Sequence, residues 1–298
     1  MKGIILTNAY VNTGDIAYQP DRLKFEFEKL GVKIDITPND FFPVSVKNGN
    51  LTSKLDGYDF CIFLDKDKYA LLGIEKLGLP LYNAYEPITV CDDKMLTYLA
   101  LANNGIPMPK TLPGLLCFDD NAKIKDSTVN GIITELGLPL IVKECFGSLG
   151  KGVYLAKTRE ELVEICNKIK CKPHLFQEYI SESFGKDIRT IVIGGKVVGS
   201  IMRVSNGDFR SNISSGGHGE PYDLPDEMKE LAIKIAKILK LDYCGMDFLI
   251  GENGKPLVCE VNSNAFFKGF EQVTGINVAK IYAEFILNDL KERKKLTI

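Results

Sequence analysis

The chain has 298 residues, a length that suggests one large domain or two to three smaller ones. Its hydrophobic content of 45% and charged content of 26% are ordinary for a globular protein, and its net charge of −2 argues against a nucleic-acid binder that relies on bulk positive charge. No apolar run is long enough to cross a membrane, and the apolar start at residues 1–6 is too short for a signal peptide. We therefore expect a cytoplasmic protein that binds neither DNA nor a membrane.

The cysteines and histidines limit the kind of metal site that the chain can form. Eight cysteines are scattered without a C-x-x-C pair, and only two histidines are present. This pattern favours free thiols in a reducing compartment and excludes a His-rich zinc site. Any bound metal would therefore be a hard cation with oxygen ligands.

The first 90 residues alternate between strand and helix patterns. Apolar runs predict strands at 2–7, 32–36, 58–64 and 79–83, and helical periodicity predicts helices at 21–30 and 69–77. This rhythm predicts a small parallel sheet with right-handed crossovers. No G-x-G-x-x-G motif is present, so a dinucleotide-binding domain is not indicated.

The rest of the chain mixes helices with hairpins. Helices are predicted at 92–103, 158–169, 225–239 and 277–290, strands at 138–144 and 175–180, and a hairpin at 187–203 around Gly194-Gly195. Asp92 and Asp93 are expected in the first turn of the first of these helices, Thr158 is expected to cap the second, and the charged end 291–298 is expected to fray.

The strand that ends near Lys143 runs into a glycine-rich segment, residues 147–152. Three glycines in six residues allow the backbone to bend around an anion, and Lys143 would point at whatever the segment covers. The segment is not a P-loop, because the chain continues as a strand rather than as a helix. A flexible flap over a phosphate and an ordinary turn remain equally open.

A polar loop at 207–219 carries two candidate functional side chains. Arg210 is either a solvated surface residue or a group that stabilises charge on a transferring phosphoryl group, since a planar guanidinium binds phosphate oxygens in bidentate fashion. His218 could accept a proton from an attacking amine, although an ordinary loop histidine is the favoured interpretation.

The segment 244–262 carries the strongest functional pattern in the chain. Two apolar runs, 244–250 and 256–261, flank Asn253-Gly254, which predicts a two-residue type I′ hairpin turn. If Glu252 pairs with Lys255 across this turn, the register of the whole hairpin follows by counting outward.

That register places Asp247 opposite Glu260, with Asn262 on the same face. Two carboxylates and an amide form an all-oxygen site that suits Mg²⁺ or Mn²⁺. The alternative is a pair of solvated carboxylates. Directly opposed like charges are destabilising in a sheet, which favours the metal site.

These motifs occur in an order that resembles the ATP-grasp superfamily, and within it the branch of RimK-type glutamate ligases. The resemblance runs from about Asp92 to Leu287. Its nine anchors are Asp93-Lys94, Val142-Lys143, 147–153, 177–180, 187–189, 207–212, 245–247, 260–262 and 274–276. The segment 262–269 looks closer to the LysX-type ligases that modify an amino-group carrier protein.

The resemblance implies an α/β protein in which a small N-terminal parallel α/β domain precedes a two-lobed, α+β ATP-grasp module. The implied domains are 1–91, then 92–180 as the lobe with the glycine-rich flap, and 181–298 as the lobe with the metal-binding hairpin.

The resemblance also implies roles for individual residues. The implied catalytic residues are Lys143, Arg210 and Asn262, and the implied ligands of Mg²⁺ or Mn²⁺ are Asp247, Glu260 and Asn262. The residues implied to hold ATP are Lys94, Lys143, Gly147, Ser148, Gly150, Gly152, Gln177, Glu178, Tyr179, Ile180, Asp187, Arg210, Ser211 and Asn212.

The implied reaction forms an amide bond. A carboxylate attacks the γ-phosphate of ATP to give an acyl phosphate and ADP, and an amine then displaces phosphate. The implied partners are ATP, an amino acid such as glutamate as the carboxylate substrate, and an amine on a small molecule, peptide or protein terminus. A carrier-protein or dipeptide ligase is the alternative, and a non-catalytic ATP sensor is less favoured. By analogy with such ligases, a homo-oligomer is expected.

Overall fold

The structure, a computed structural model, describes residues 1–11, 14–148, 150–211 and 217–296. Within them the chain forms a four-stranded parallel sheet, four-stranded and five-stranded antiparallel sheets, and a separate two-stranded hairpin. The predicted α/β class and the predicted N-terminal parallel sheet are therefore confirmed. None of the described helices has both the length and the apolar character needed to span a membrane.

The N-terminal part contains the strands and α-helices β1 (Lys2–Thr7), α1 (Gly14–Lys29), β2 (Lys33–Pro38), β3 (Val44–Lys47), β4 (Asn50–Ser53), β5 (Phe60–Leu64), α2 (Lys68–Lys76), β6 (Leu81–Tyr82), α3 (Tyr85–Asp92) and α4 (Lys94–Leu101). The parallel sheet has the order β2-β1-β5-β6. Nothing in the apolar pattern predicts the exposed hairpin β3–β4. Its turn is Asn48-Gly49, with both residues at positive φ, so the Asn-Gly pair was the available signal.

The prediction of a single helix at 92–103 is wrong at its start, because Asp93 is not helical and separates α3 from α4. This residue is extended, with φ −99° and ψ 111°, between the end of α3 and the start of α4. Its carboxylate accepts hydrogen bonds from the N–H groups of Met95 (2.9 Å) and Leu96 (3.1 Å). Asp93 therefore caps α4 instead of lying inside its first turn.

The middle part contains β7 (Thr111–Pro113), α5 (Asp126–Leu136), β8 (Leu140–Glu144), β9 (Val153–Ala156), α6 (Arg159–Ile169) and β10 (His174–Glu178). Its antiparallel sheet has the order β7-β10-β8-β9, and helices α5 and α6 pack on it through Val129 and Leu162. The glycine-rich segment connects β8 to β9 as a hairpin, as predicted. Thr158 caps α6 by accepting from the N–H of Glu161, also as predicted.

The last part contains β11 (Lys186–Ile193), β12 (Lys196–Val204), β13 (His218–Pro221), α7 (Asp226–Ile238), β14 (Tyr243–Ile250), β15 (Pro256–Asn262), α8 (Lys268–Thr274) and α9 (Val278–Leu296). Its antiparallel sheet has the order β13-β12-β11-β14-β15. The predicted hairpin β11–β12 is confirmed. The frayed end predicted at 291–298 is wrong as far as Leu296, because α9 continues to that residue.

Helix α9 joins the first sheet to the third. Its residues Tyr282 and Ile286 belong to the same buried cluster as Ile5 and Phe60 of the parallel sheet and Ile191 of β11. Burial of this shared apolar surface, at about 25 cal/mol per Å², fixes the N-terminal sheet against the third sheet.

Helix α4 packs on the third sheet through an apolar cluster. Leu101 of α4 shares a buried cluster with Ile235 of α7, Met246 of β14 and Val258 of β15. The domain boundaries expected after residues 91 and 180 remain predictions.

Asn83, directly after β6, ties the N-terminal part to both ends of the β14–β15 hairpin. Its side-chain amide donates to the carbonyl oxygens of Tyr243 (2.8 Å) and Ser263 (2.7 Å). Its amide oxygen accepts from the N–H groups of Asp242 (2.7 Å) and Tyr243 (3.1 Å). The side chain is buried, so these backbone groups depend on it for partners.

Replacing Asn83 with Ala should lower the free energy of unfolding by about 3 kcal/mol, because several buried backbone groups lose their partners. The midpoint of urea unfolding measures the effect. Asn50→Ala is the control, since Asn50 is exposed and its amide donates to the carbonyl of Asn48. The control should change stability by less than about 0.5 kcal/mol, and equal effects of the two substitutions would contradict the role of Asn83.

Asp242, just before β14, is a half-buried carboxyl group near Asp289 and Arg293. Burial raises the pKa of Asp242 from 3.8 to about 6, with Arg293 opposing the shift and Asp289 adding to it. The folded protein therefore holds this proton more tightly than the unfolded chain does. The resulting contribution to stability is complete below pH 4 and is lost as the pH rises through about 6.

Asp242→Asn should therefore stabilise the protein at pH 7.5, by about 2 kcal/mol, because the cost of a buried charge disappears. At pH 4 the parent and the variant should unfold at the same urea concentration. A stability difference that does not change with pH would show that the charge of Asp242 is not the cause.

Candidate active site

The β14–β15 hairpin pairs the two predicted metal-binding carboxylates, Asp247 and Glu260, but the strand pairing that leads to this result differs from the predicted one. Asn253 and Gly254 both have positive φ, as the predicted turn requires. Beyond the turn, however, the N–H of Gly251 donates to the carbonyl of Lys255 (2.8 Å). The predicted two-residue loop is therefore wrong: three residues, 252–254, separate the closing pair, and the pairing is one residue out of the predicted register.

An irregularity at Cys259 restores that register. Phe248 pairs with Val258, whereas Asp247 pairs with Glu260, which leaves Cys259 as the extra residue. The predicted pairing of Asp247 with Glu260 is confirmed because the two one-residue shifts cancel. Asn262 lies two residues beyond Glu260, opposite Gly245.

Asp247 lies in a cluster of four charges, of which Asp187, Arg203 and Asp247 are buried and Arg189 is half-buried. Its carboxylate accepts from Nε and Nη2 of Arg189, the latter at 2.7 Å, and lies 2.9 Å from Nη2 of Arg203. Arg203 also binds Asp187, with Nε 2.6 Å from Oδ1. Strand register brings these groups together, since Arg189 is opposite Asp247 and Asp187 is opposite Arg203.

The two aspartates of this cluster differ in electrostatic surroundings. Burial opposes ionisation of both, but two arginines hold the pKa of Asp247 below its usual range. The pKa of Asp187 is raised, chiefly by burial, with Arg203 opposing the shift and the negative Asp247 adding to it. Asp247 is therefore the more strongly stabilised anion.

Two buried lysines face the Glu260 side of the hairpin. Nζ of Lys94 donates to the carbonyl of Gly147 (3.1 Å) and lies 3.6 Å from Oε1 of Glu260. Nζ of Lys143 lies 3.5 Å from Sγ of Cys259 and forms no ion pair within the described part of the chain. Burial by itself lowers the pKa of Lys143, but its neighbours, Cys259 first, raise it overall. Lys143 is thus a buried cation without a close carboxylate, as expected in a site for an anion.

Arg210 also contacts the glycine-rich segment. Its Nη1 donates to the carbonyl of Gly150 (3.3 Å). Its Nε (3.1 Å) and Nη2 (2.7 Å) bind the carboxylate of Asp208. Lys94 and Arg210 therefore hold the segment over the cavity through backbone carbonyls of Gly147 and Gly150.

The end of β10 supplies the wall where the adenine of ATP is expected. The buried amide of Gln177 donates to the hydroxyl of Thr111 (2.8 Å). The N–H of Glu178 donates to the carbonyl of Lys110 (2.9 Å), and its carboxylate accepts from the N–H of Lys110 (2.6 Å). These groups of Gln177 and Glu178 already form hydrogen bonds to Lys110 and Thr111. Tyr179 is the first residue after the end of β10.

Most of the predicted site residues line one cavity of about 760 Å³. They are Lys94, Lys143, Gly147, Ser148, Gly150, Gln177, Glu178, Tyr179, Ile180, Asp187, Arg210, Ser211, Asp247, Glu260 and Asn262.

Three predicted residues are not placed there. Gly152 does not line the cavity, and a Cβ at this position would meet Glu144 at 3.0 Å. Asn212 lies outside the described residues. His218 is more than half exposed, with Nε2 3.4 Å from Glu220 and no place in the cavity lining, so the structure gives no support to a general-base role.

The sequence patterns missed several residues of the cavity. Arg203 joins two aspartates that lie on different strands, so no local pattern reveals it. The pair Asp187 and Arg189, two residues apart on one strand face, was a usable signal for Arg189. Lys66 also contributes to the lining. So does the segment 263–272, which overlaps the segment 262–269 that the resemblance had already singled out.

The donor set fits a hard cation in part. The described residues contain no group of three or more His, Cys, Asp or Glu side chains arranged for a metal, and the predicted trio has only two carboxylates. Asp247 already accepts two hydrogen bonds from Arg189 and lies 2.9 Å from Nη2 of Arg203, so little of its capacity to accept further bonds remains. Nδ2 of Asn262 is buried without a partner, a donor that fits an anionic oxygen. Glu260 and the amide oxygen of Asn262 are therefore the better candidates for metal ligands.

The arrangement suits phosphate chemistry, because buried cations, a glycine-rich hairpin and oxygen ligands converge on one cavity. The sequence model of a protein family, described as "RimK-like ATP-grasp domain", matches residues 91–286, which are about two thirds of the chain. The chain belongs to the RimK-like ATP-grasp family. The resemblance predicted from the sequence motifs is thereby confirmed.

Two relatives of this chain carry the names of a synthase and of a probable ligase. The chain is 40% identical to N-acetylaspartylglutamate synthase A of Homo sapiens over 232 residues, which cover 77% of this chain but 58% of that protein. It is 35% identical to a probable alpha-L-glutamate ligase of Psychromonas ingrahamii over 289 residues, which cover 92% of each chain. The chain thus spans just over half the length of the human relative.

A solved structure shows the shared fold. D-alanine–D-alanine ligase of Bacillus anthracis, complexed with ATP, has a TM-score of 0.74 to this chain at 18% identity. The match covers 98% of this chain and 99% of the ligase.

Replacing Arg203 with Met should lower the free energy of unfolding by about 3–5 kcal/mol at pH 7, because Asp187 is left buried without its cation. Adding Asp187→Asn should recover part of this loss. Arg159→Met is the control, since Arg159 forms an exposed ion pair with Asp126 (2.6 Å). Urea unfolding measures all four proteins. An Arg203 variant as stable as the control would refute the charge balance assigned to the cluster.

Proposed function

We propose that the protein is an ATP-dependent ligase that forms an amide bond between a carboxylate and an amine. The charge of the cavity carries this proposal. Among the described lining residues, nine are Lys or Arg and four are Asp or Glu, although the chain as a whole has a net charge of −2. Such a concentration of cations suits several anionic ligands bound together, as a nucleoside triphosphate and a carboxylate would be. The ligase relatives support the same reaction.

In the proposed reaction, a carboxylate oxygen attacks the γ-phosphorus of ATP, ADP leaves and an acyl phosphate forms. The amine nitrogen then attacks the acyl carbon, and phosphate and a proton are released. The first step brings two anions together, so neutralisation of charge is the main task of the site.

The buried cations are placed for this task. Lys143 has no carboxylate partner to give up, and Lys94 and Arg210 can exchange the flap carbonyls for phosphate oxygens, which are stronger acceptors. Glu260 and Asn262, with Asp247 as a further candidate, would hold Mg²⁺ or Mn²⁺. The bound cation would supply further neutralisation of phosphate charge.

The flap and the end of β10 complete the nucleotide site in this proposal. Backbone groups of Gly147, Ser148 and Gly150 would cover the phosphates and exclude water, which would otherwise hydrolyse an acyl phosphate. Tyr179 and Ile180 would contact adenine.

We further propose glutamate as one of the two substrates, because the names of both relatives contain it. In N-acetylaspartylglutamate, the acyl group is named first. This favours glutamate as the amine and a carboxylate-rich acyl donor, whereas the expectation from sequence placed glutamate on the carboxylate side.

A cytoplasmic location and a homo-oligomer complete the proposal. The eight cysteines are free, which fits a reducing compartment. Light scattering of the purified protein tests the oligomeric state.

Isotope transfer tests the reaction and its direction together. The protein is incubated with ATP, MgCl₂ or MnCl₂, L-glutamate and N-acetyl-L-aspartate, with ¹⁸O in the carboxylates of one substrate at a time. We expect phosphate release only with both substrates present, and one ¹⁸O atom in the phosphate. Label from N-acetyl-L-aspartate makes glutamate the amine, and label from glutamate makes it the carboxylate donor. Amide formation with unlabelled phosphate in both cases would rule out an acyl phosphate.

Glu260→Gln should lower kcat by about 100-fold or more, because a metal ligand loses its charge. Binding of ATP in EDTA, measured by calorimetry, should change little. Glu252→Gln is the control, since Glu252 is exposed in the turn of the same hairpin and should leave kcat unchanged. Normal turnover of the Glu260 variant would remove Glu260 from the metal site.

A further inference from the structure

The segment 263–272, called here the distal wall, follows directly after Asn262 and lines the cavity. Eight of its ten residues contribute to the lining, Lys268 among them. None of these residues is among those expected to hold ATP. Because this wall carries a cation, it suits a carboxylate of a substrate other than the nucleotide.

Helix α1 of the N-terminal part holds the distal wall from outside the cavity. The hydroxyl of Tyr18 donates to Oε2 of Glu271 (2.6 Å), and Nε of Arg22 donates to the same oxygen (3.3 Å). The ring of Tyr18 also packs edge-on against Phe267, with 6.1 Å between centroids. A fourth contact runs from the amide of Gln19 to the side chain of Asn264 (3.3 Å).

Glu271 and Arg22 extend this contact to the start of α9. Oε1 of Glu271 accepts from the N–H of Ala279 (3.2 Å). Nη2 of Arg22 donates to the side chain of Asn277 (2.9 Å), which in turn donates to Glu26 (3.0 Å). The carboxylate of Glu271 is largely buried, so its position depends on these donors. The wall and α1 are therefore held as one unit.

Two more observations connect this unit to the cavity. Gly14 and Ile16, at the start of α1, line the same cavity as the distal wall. Tyr18, Arg22 and Glu271 themselves do not line it. These three residues are called here the α1 clamp. Because they do not line the cavity, they can affect a bound ligand only by fixing the position of the residues that do.

We propose that the α1 clamp consists of positioning residues that set the affinity of the site for the substrate carboxylate held at the distal wall. This inference rests on the proposed ligase function and names the part of the site that selects the substrates other than ATP. The N-terminal part of the chain then takes part in substrate selection, although the expected nucleotide contacts all lie after residue 92.

Tyr18→Phe tests the clamp, because it removes one hydrogen bond to a charged group and keeps the ring. We expect KM for L-glutamate or for N-acetyl-L-aspartate to rise about tenfold, with kcat and KM for MgATP within about twofold of the parent. Tyr58→Phe is the matched control. Tyr58 is also half-buried, and its hydroxyl donates to the carboxylate of Asp35 (2.8 Å) away from the cavity. The control should change none of these constants.

Hydrogen exchange gives a second readout that does not need turnover. In Tyr18→Phe, amides of 263–272 should exchange faster than in the parent and in Tyr58→Phe, while those of β14 should not change. Faster exchange together with a selective rise in KM supports the proposal. Unchanged exchange, an unchanged KM for both substrates, or a rise in KM for MgATP instead overturns it. A parent protein without ligase activity would defeat the proposed function, whereas the exchange result would still decide whether the clamp holds the wall.

Discussion

The candidate site depends on how the fold balances charges that are removed from water. Arg189 and Arg203 compensate Asp187 and Asp247, so this part of the cavity is close to neutral by itself. Lys143 has no such partner within the described residues. Burial by itself disfavours the charge of Lys143, and the phosphates of a nucleotide would offset that effect. The position of Lys143 in the fold therefore makes the site favour anionic ligands.

The sheets around the cavity explain how these charges keep their places. The third sheet holds the aspartates and arginines through strand register, and the hairpin β8–β9 carries Lys143 toward Cys259. The parallel N-terminal sheet is tied to the same region at two points, by Asn83 at the ends of the β14–β15 hairpin and by helix α1 along the segment that follows it. The geometry of the site is therefore a property of the whole described chain.

The Asp247–Glu260 pair shows how far a local pattern can be trusted. The positive φ values in the turn at Asn253-Gly254 were predictable, because few residues other than Asn and Gly adopt two of them in succession. The shift beyond that turn and the irregularity at Cys259 were not, since they depend on how the strand fits its surroundings. The pairing was predicted correctly because the two shifts are equal and opposite. Asp93 shows the converse, because a capping side chain broke a helix that apolar periodicity alone made continuous.

The sequence by itself determined the features with local causes: the strand–helix rhythm of the first sheet, the glycine-rich hairpin, the cap at Thr158 and the ordered motifs that revealed the family. Only the tertiary structure decided which charged groups meet. Arg203 binds two aspartates on two neighbouring strands, and Tyr18 binds Glu271 across 253 residues of sequence. Periodicity and motif spacing do not predict such pairings. The pairings arise only when distant segments fold together, because each charge that becomes buried needs a partner.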